Sequence, residues 1–251
     1  MYNIAANTLF IGKPLIYLPT CHSTNDIARE IASGAEGHEG TTVITSEQTA
    51  GKGQRGNKWE AEAGKNITLS VILKPKGLLI ANQFSLNISI SLAVCEVLTN
   101  YLSKKVKIKW PNDIFFEDYK LSGILIENSV RGQFIETAII GIGININQEK
   151  FNEPKAISIK TLLGFEVSVE EVCISLLEQI ESNYLCLHQK EDALKEKYLN
   201  ALYRLNEERL FRAGGIEFNG SISGIDEAGR LIIKTDNGNR TFQFKEVQYI
   251  S

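Results

Sequence analysis

An α+β fold with a small all-β unit at its C-terminal end is predicted by three features of this 251-residue sequence. Apolar residues alternate with a two-residue period in separate stretches between residues 43 and 144. Helical periodicity fills other stretches, the longest from Asn82 to Ser103. From Glu207 onward the pattern changes to short strands broken by Asp- and Gly-containing turns, which places a boundary between 1–206 and 207–251. Apolar residues make up 43% of the chain, enough for a sizeable core.

In order, a short apolar run at Ile16–Leu18 ends at Pro19. Ser23-Thr24-Asn25-Asp26 follows, and behind it Ile27, Ala28, Ile31 and Ala32 recur at helical spacing. Ser23, Thr24 and Asn25 are all good helix N-caps, so capping is the plain expectation for each. The alternative is that they face a polar ligand from the helix N-terminus. Val43–Thr45 and Ile67–Leu73 read as strands, the second alternating Ile67, Leu69, Val71 and Leu73 with Thr68 and Ser70.

Between these strands lies a polar loop with Gly51, Gly53 and Gly56 beside Lys52, Gln54, Arg55 and Lys58. Free N–H groups and cations suit an anion such as a phosphate, and Trp59 offers a planar ring for stacking. Residues 51–56 spell G-x-G-x-x-G, but the loop leads into a strand. No acidic residue occurs between Glu62 and Glu96, so the dinucleotide reading fails. A P-loop fails because no G-K-[ST] follows.

After the long helix, Val106-Lys107-Ile108-Lys109-Trp110 alternates as a strand and Pro111-Asn112-Asp113 breaks it. Lysines 104, 105, 107 and 109 read as a solvated strand edge. Ile114–Phe116 resumes as a strand, Glu117-Asp118-Tyr119 turns, and Lys120–Glu127 is a strand. Arg131-Gly132 turns into Phe134–Ile144, which contains Gly141 and Gly143. Glycine inside a strand often marks close approach of another group. Ser168-Val169-Glu170-Glu171 is a capping box ahead of a helix, and a further helix spans about Glu191–Leu205. Short strands are expected at Gly220–Ile225, Leu231–Thr235 and Thr241–Phe244.

The four cysteines, Cys21, Cys95, Cys173 and Cys186, are widely spaced with no C-x-x-C pair, which indicates reduced thiols in a cytoplasmic protein. The N-terminus lacks a signal-peptide pattern and no apolar run approaches eighteen residues, so no membrane is expected. A net charge of −3 and the absence of a helix-turn-helix before the first strand argue against a nucleic-acid partner.

The motifs combine into a resemblance. Glu47 to Trp59 is similar to the signature loop of the biotin protein ligases. Lys109-Trp110-Pro111-Asn112-Asp113, followed by Lys120-Leu121-Ser122-Gly123-Ile124-Leu125-Ile126-Glu127, resembles their second signature. Gly141-Ile142-Gly143-Ile144-Asn145 resembles the third, and Ser23-Thr24-Asn25 the early biotin-contacting segment. The resemblance covers essentially the whole chain. It implies a class II synthetase-like mixed-sheet catalytic domain of the biotin/lipoyl ligase type, followed by an SH3-like barrel. It also implies a two-step reaction. Biotin and ATP, with Mg²⁺, give biotinyl-adenylate, and a lysine of a biotin carboxyl carrier protein then takes the biotin.

The same resemblance puts catalysis on Lys120 and Asp113. Contacts to biotin or its adenylate fall to Ser23, Thr24, Asn25, Gln48, Gly51, Lys52, Gly53, Gln54, Arg55, Thr68, Ser70, Lys120, Gly123, Gly141 and Gly143. ATP contacts fall to Lys52, Arg55, Trp59, Asn112, Asp113, Lys120 and Asn145, with Mg²⁺ near Asp113. Asn112 and Asp113 sit either at the nucleotide and metal or at the incoming lysine. The assembly is a monomer or a homodimer. Gln54 departs from the family pattern, standing where many members carry an arginine that guards the adenylate. The competing readings are a lipoate or octanoate ligase or transferase and a non-enzymatic regulator. Gly51–Trp59 and Trp110–Asp113 favour biotin, and an intact Lys120 disfavours a dead binder.

Overall fold

A computed structural model describes residues 4–102, 106–187 and 190–250, and the backbone alone of Arg55. Ser103, Lys104 and Lys105 of the expected helix end and strand edge lie outside these residues. The large sheet contains β1 (Leu15–Cys21), β2 (Thr42–Gln48), β3 (Ile67–Leu73), β4 (Val106–Lys109), β5 (Asp113–Phe116), β6 (Tyr119–Arg131) and β7 (Phe134–Ile144). Their spatial order is β1-β2-β3-β7-β6-β5-β4, with β1–β2 parallel and the other neighbours antiparallel. β1 runs past Pro19, further than the expected Ile16–Leu18. As an edge strand it tolerates a residue without an N–H.

β3 and β7 are central, so both their faces are covered. β3 is buried at every position, although its alternation suggests one wet face. Ile67, Leu69, Val71 and Leu73 enter the main core with Ile140, Ile142 and Ile144 of β7. The other face carries Thr68, Ser70, Gly141 and Gly143, and its small apolar cluster holds Val43, Ile72 and Ile139 against Ala28 of α1 (Thr24–Ser33). The G-I-G-I repeat therefore sends isoleucines to one side and glycines to the other. Burying each isoleucine contributes about 1.5–3 kcal/mol.

The main core is closed by α2 (Gln83–Tyr101), a short α3 (Ile159–Leu163) unforeseen in the sequence, α4 (Val169–Leu185) and α5 (Glu191–Ala201). Ser168 caps α4 by accepting from Glu171 N at 3.2 Å, as the capping box predicts. α5 stops at Ala201 rather than Leu205, because Leu202 pairs in parallel with Ile108 and covers the β4 edge. With its preceding turn, α2 (Ile80–Tyr101) is long and apolar enough to cross a membrane, but it is a largely buried core helix here.

The C-terminal unit has five antiparallel strands, two more than expected: β8 (Glu208–Ala213), β9 (Ile216–Ile225), β10 (Leu231–Thr235), β11 (Gly238–Phe242) and β12 (Gln248–Tyr249). Their order is β11-β10-β9-β8-β12. This sheet docks on the β4–β5 corner. Trp110 Nε1 donates to Gly229 O at 2.9 Å, its ring meets Phe244 edge-on, and Tyr203 bridges Phe115 and Tyr249. The four cysteines are free thiols, and burial pushes those of Cys95 and Cys173 up to about 11 and about 12.

Candidate active site

A cleft of about 1070 Å³ opens on the glycine face of the large sheet. It runs from the start of α1, under the 51–59 loop, to the corner where the small sheet docks. Its walls include Ser23, Thr24, Asn25, Gln48, Lys52, Gln54, Trp59, Thr68, Asn112, Asp113, Lys120, Gly123, Gly141, Gly143 and Asn145. Most of the sequence candidates thus line one cleft; Gly51 and the fully buried Ser70 are not among its walls, and the side chain of Arg55 lies outside the described residues.

At the α1 end the capping expectation fails. Ser23 occupies the N-cap position without a side-chain cap bond. Thr24 and Asn25 turn away from their own helix into the sheet. Thr24 N and Oγ1 donate to Gln48 Oε1 at 2.7 and 3.1 Å. Ser70 donates to Asn25 Oδ1 at 2.6 Å, and its hydroxyl lies 2.8 Å from that of Thr24. Asn25 Nδ2 donates to Glu127 Oε2 at 2.7 Å. Thr24, Asn25 and Ser70 are buried, and each finds a partner, as buried polar groups must. Gly141 explains itself here, since a Cβ on it would lie 2.2 Å from Asn25 Oδ1.

Asp26 and Glu127, which the sequence reading passed over, extend this network to the loop. Asp26 pairs with Lys52 at 2.6 Å and Arg29 at 2.7 Å, and Arg29 reaches Glu127 at 2.6 Å. Burial raises the Asp26 pKa, but the hydrogen bonds from Lys52 and Arg29 outweigh it and leave the carboxyl below its ordinary value. Lys52 borders the cleft, yet its ammonium faces Asp26 rather than a ligand position. The loop is a small hairpin, closed by a Lys52–Lys58 bridge and by Trp59 N donating to Gly51 O at 3.0 Å. Trp59 lies on Gly143, where an added Cβ would meet its ring at 2.2 Å, and beside Gly123. The glycines therefore admit Asn25 and Trp59, so the strand approaches the cleft through these two side chains.

At the far end, Lys120 Nζ meets Asp113 Oδ1 at 2.6 Å and stands 5.9 Å from the Trp59 ring centroid. Asn112 is buried and its amide donates to Ile124 O, while Ile124 N donates back to Asn112 O at 3.1 Å. The residue clamps the hairpin that presents Asp113 and Lys120. Asn145 Nδ2 donates to Ile157 O at 3.2 Å. Among the described residues its Oδ1 has no partner, and neither have Gln54 Oε1 and Trp59 Nε1, all three buried at the cleft. Such atoms are costly unless a ligand completes them.

The Biotin/lipoate A/B protein ligase family model matches residues 17–145, and the Biotin protein ligase C terminal domain model matches 210–251. A biotin--[acetyl-CoA-carboxylase] ligase of Paracoccus denitrificans is 30% identical over 237 residues, covering 90% of this chain and 96% of the relative. The chain belongs to the biotin/lipoate A/B protein ligase family. A bifunctional ligase/repressor of Bacillus subtilis is 29% identical over 96% of this chain and 75% of its own length. The solved biotin protein ligase of Aquifex aeolicus, in complex with biotin and ATP, matches with a TM-score of 0.79. It is 27% identical, over 95% of this chain and all of that one.

In this ligase-family chain, two further wall residues escaped the sequence reading. Lys109 is half-buried in the cleft, not on a solvated edge, with its ammonium 4.5 Å from the Phe115 ring centroid and 5.0 Å from that of Tyr249. Tyr249 comes from the small sheet, along with Lys245 and Gln248 at the same wall. The alternation V-K-I-K carries the signal for Lys109, because it puts both lysines opposite the core. Nothing local in the sequence identifies the small sheet as what covers Lys109.

Proposed function

We propose that this protein is an ATP-dependent biotin ligase that forms biotinyl-adenylate and transfers the biotinyl group to a lysine of a biotin carboxyl carrier protein. One observation carries the reading. Lys120, held by Asp113, stands between a neutral hydrogen-bonding pocket and a cationic corner. That is where a carboxylate and a nucleotide must meet. The relatives named as biotin--[acetyl-CoA-carboxylase] ligases and the neighbour bound to biotin and ATP support it.

In this reading the ureido ring lies against Ser23, Thr24, Asn25, Gln48 and Thr68, with the buried Ser70 fixed behind Thr24 and Asn25. The carboxylate oxygen attacks the α-phosphorus and pyrophosphate leaves. Lys120 stabilises the negative charge shared by the two anions in that step. In the second step the carrier amine attacks the acyl carbon, AMP leaves with the bonding pair, and the amine loses its proton. Asp113, at the mouth beside Lys120, receives that amine. Trp59 supplies a stacking face for adenine, and Asn145 Oδ1 a free acceptor for its exocyclic amine. Gln48 and the loop Gly51–Gly56 close over the intermediate.

Among the described residues no cluster of three metal-ligating side chains occurs. Mg²⁺ commonly binds through one or two carboxylates and substrate phosphates, an arrangement that one carboxylate, Asp113, suits. The ion would add positive charge to the phosphates as they separate. We further propose a cytoplasmic enzyme without a nucleic-acid partner, acting as a monomer or homodimer. The test is pyrophosphate exchange into ATP, with biotin, lipoate or octanoate as the acid. Exchange that depends on biotin alone supports the reading, and exchange with lipoate or octanoate but not biotin overturns it.

A further inference from the structure

Glu127 does not border the cleft, yet its carboxylate is divided between two partners that lead there. Oε1 meets Arg29 at 2.6 Å, and Oε2 accepts from Asn25 Nδ2 at 2.7 Å. A carboxylate paired in this way only accepts, so it dictates which way round the Asn25 amide sits. The NH2 faces Glu127 and Oδ1 faces Ser70. That oxygen also only accepts, and Ser70 Oγ stands 2.6 Å from it. The single hydroxyl hydrogen of Ser70 therefore goes to Asn25. Thr24 Oγ1 lies 2.8 Å from the same hydroxyl. The hydrogen of Thr24 is left to fill that contact or to reach Gln48 Oε1 at 3.1 Å. Both directions lead into the network, so at the cleft wall Thr24 shows lone pairs and no hydrogen. Thr24 N, which only donates, holds Gln48 Oε1 at 2.7 Å and leaves the NH2 of that amide for a ligand carbonyl. The wall thus sets an acceptor beside a donor.

We infer that Glu127 is a positioning residue that sets ring specificity: by fixing the direction of the hydrogen bonds through Asn25 and Ser70, it makes Thr24 an acceptor only, so this end of the cleft takes a ring N–H and rejects a ring oxygen in its place. The inference deepens the biotin reading above and rests on it. An acceptor beside a donor matches the N–H beside C=O of a cyclic urea. A cyclic carbamate has nearly the same size and shape but turns a lone pair toward the lone pairs of Thr24. Shape alone does not separate the two rings, whereas hydrogen-bond direction does. Arg29 decides what happens in Glu127→Gln. Arg29 donates, so it holds the new amide oxygen and leaves the new NH2 facing Asn25. Asn25 then turns over and donates to Ser70, and the Ser70 hydrogen moves to Thr24. The Thr24 hydrogen, no longer needed by Ser70, is released to the cleft.

The probes are biotin and its two cyclic carbamate analogues, each with one ureido N–H replaced by oxygen, titrated calorimetrically into the full-length protein without ATP. Wild type should bind at least one analogue roughly 10- to 100-fold more weakly than biotin, the effect of one unmade hydrogen bond at a buried acceptor. Glu127→Gln should shrink that ratio to within about threefold, because Thr24 can then donate to the ring oxygen. Arg29→Ala should keep the wild-type ratio. The double variant Arg29→Ala/Glu127→Gln should restore most of it, since the new amide oxygen is free to face Asn25 again, and Leu125 O, 3.5 Å from Asn25 Nδ2, favours that orientation. A merely structural role predicts that a second lesion adds damage and restores no selectivity. Equal binding of biotin and both analogues by wild type overturns the inference, as does an unchanged ratio in a folded Glu127→Gln. Should that variant not fold, NMR of wild type decides. Nuclear Overhauser contacts from the Asn25 carboxamide NH2 to the Glu127 γ-protons support the stated direction, and contacts to the Ser70 β-protons instead overturn it. If the ratios behave as expected while no biotin-dependent pyrophosphate exchange occurs, the inference stands and the functional reading falls. A wild type that binds none of the three rings overturns both.

Discussion

The two ends of the cleft are built on opposite principles. At the α1 end, Thr24, Asn25, Gln48, Ser70 and Glu127 satisfy one another through neutral or singly charged hydrogen bonds, and most of them are buried. At the β4–β6 corner, Lys109 and Lys120 are half-buried and held by two rings and one carboxylate. A closed hydrogen-bonded network fixes shape and rejects the wrong ring, because an unmade bond inside it leaves a buried group unpaired. An open cationic corner has strength in reserve for the moment when charge develops. The difference teaches that recognition and chemistry are separable in this cleft, and substitutions at the two ends should fail in different ways.

The largest effect is expected at the cationic corner. Lys120→Ala should slow adenylate formation by roughly 10²–10³, the range for losing one preorganised donor. Biotin binding should also weaken, since its carboxylate loses a partner, while the fold persists. A Lys120→Ala protein that exchanges pyrophosphate at the wild-type rate would break the comparison at once.

Next comes the neutral end. Asn25→Ala removes one of the partners of Ser70 and of Glu127, which keep Thr24 and Arg29, and each lost hydrogen bond costs about 0.5–3 kcal/mol, the upper end for the one to the carboxylate. Biotin affinity should fall roughly 10- to 100-fold on that basis, with the KM for ATP nearly unmoved. Gly141→Ala should mimic it, because its Cβ displaces Asn25. Gly143→Ala should instead displace Trp59 and loosen the loop. Biotin titrations in which the two glycine variants cannot be told apart would show that the ends are not separate.

These glycines also show how far the sequence could be read. The alternation of Gly141, Ile142, Gly143 and Ile144 announces a strand with a bare face, and that face lines the cleft. The alternation does not say what covers the face. Asn25 and Trp59 arrive from segments far away in sequence, and only the tertiary arrangement names them. For the same reason Thr24 and Asn25 look like caps: helix N-cap propensity is local, whereas their partners Gln48, Ser70 and Glu127 are 24 to 102 positions away. Lys120, Asp113 and Asn112 are legible because a single hairpin carries all three. Lys109 is not, because its second ring comes from the small sheet.

A smaller effect is expected at Gln54, whose buried Oε1 has no partner among the described residues. Glutamine offers neutral donors where an arginine would offer a charged fork. Gln54→Arg should lengthen the lifetime of the bound adenylate up to about fivefold, the difference between a charged and a neutral hydrogen bond. A single-turnover chase without carrier measures it, and an unchanged lifetime removes Gln54 from the guarding role.

The smallest effect is expected for the Lys52–Asp26 latch. Lys52 is 47% exposed, so solvent screens the pair and its worth is about 0–1 kcal/mol. Because the Asp26 pKa is depressed, the contact is complete above the unfolded carboxyl value of about 3.9 and is lost as pH falls through the folded value. Proteolysis of residues 51–58 should therefore be flat between pH 5 and 8 in wild type and modestly faster in Asp26→Asn. A steep rise in cleavage within that window would assign the latch to another group.

The account stands or falls on whether the two ends act as one ligase site. The direct measurement is the intact mass of a biotin carboxyl carrier domain after incubation with this protein, ATP and Mg²⁺, with biotin, lipoate and octanoate offered together. One biotinyl group on one carrier lysine, absent without ATP and lost in Lys120→Ala, is the predicted result. A carrier that gains a lipoyl or octanoyl group instead, or gains biotin equally with Lys120→Ala, contradicts it.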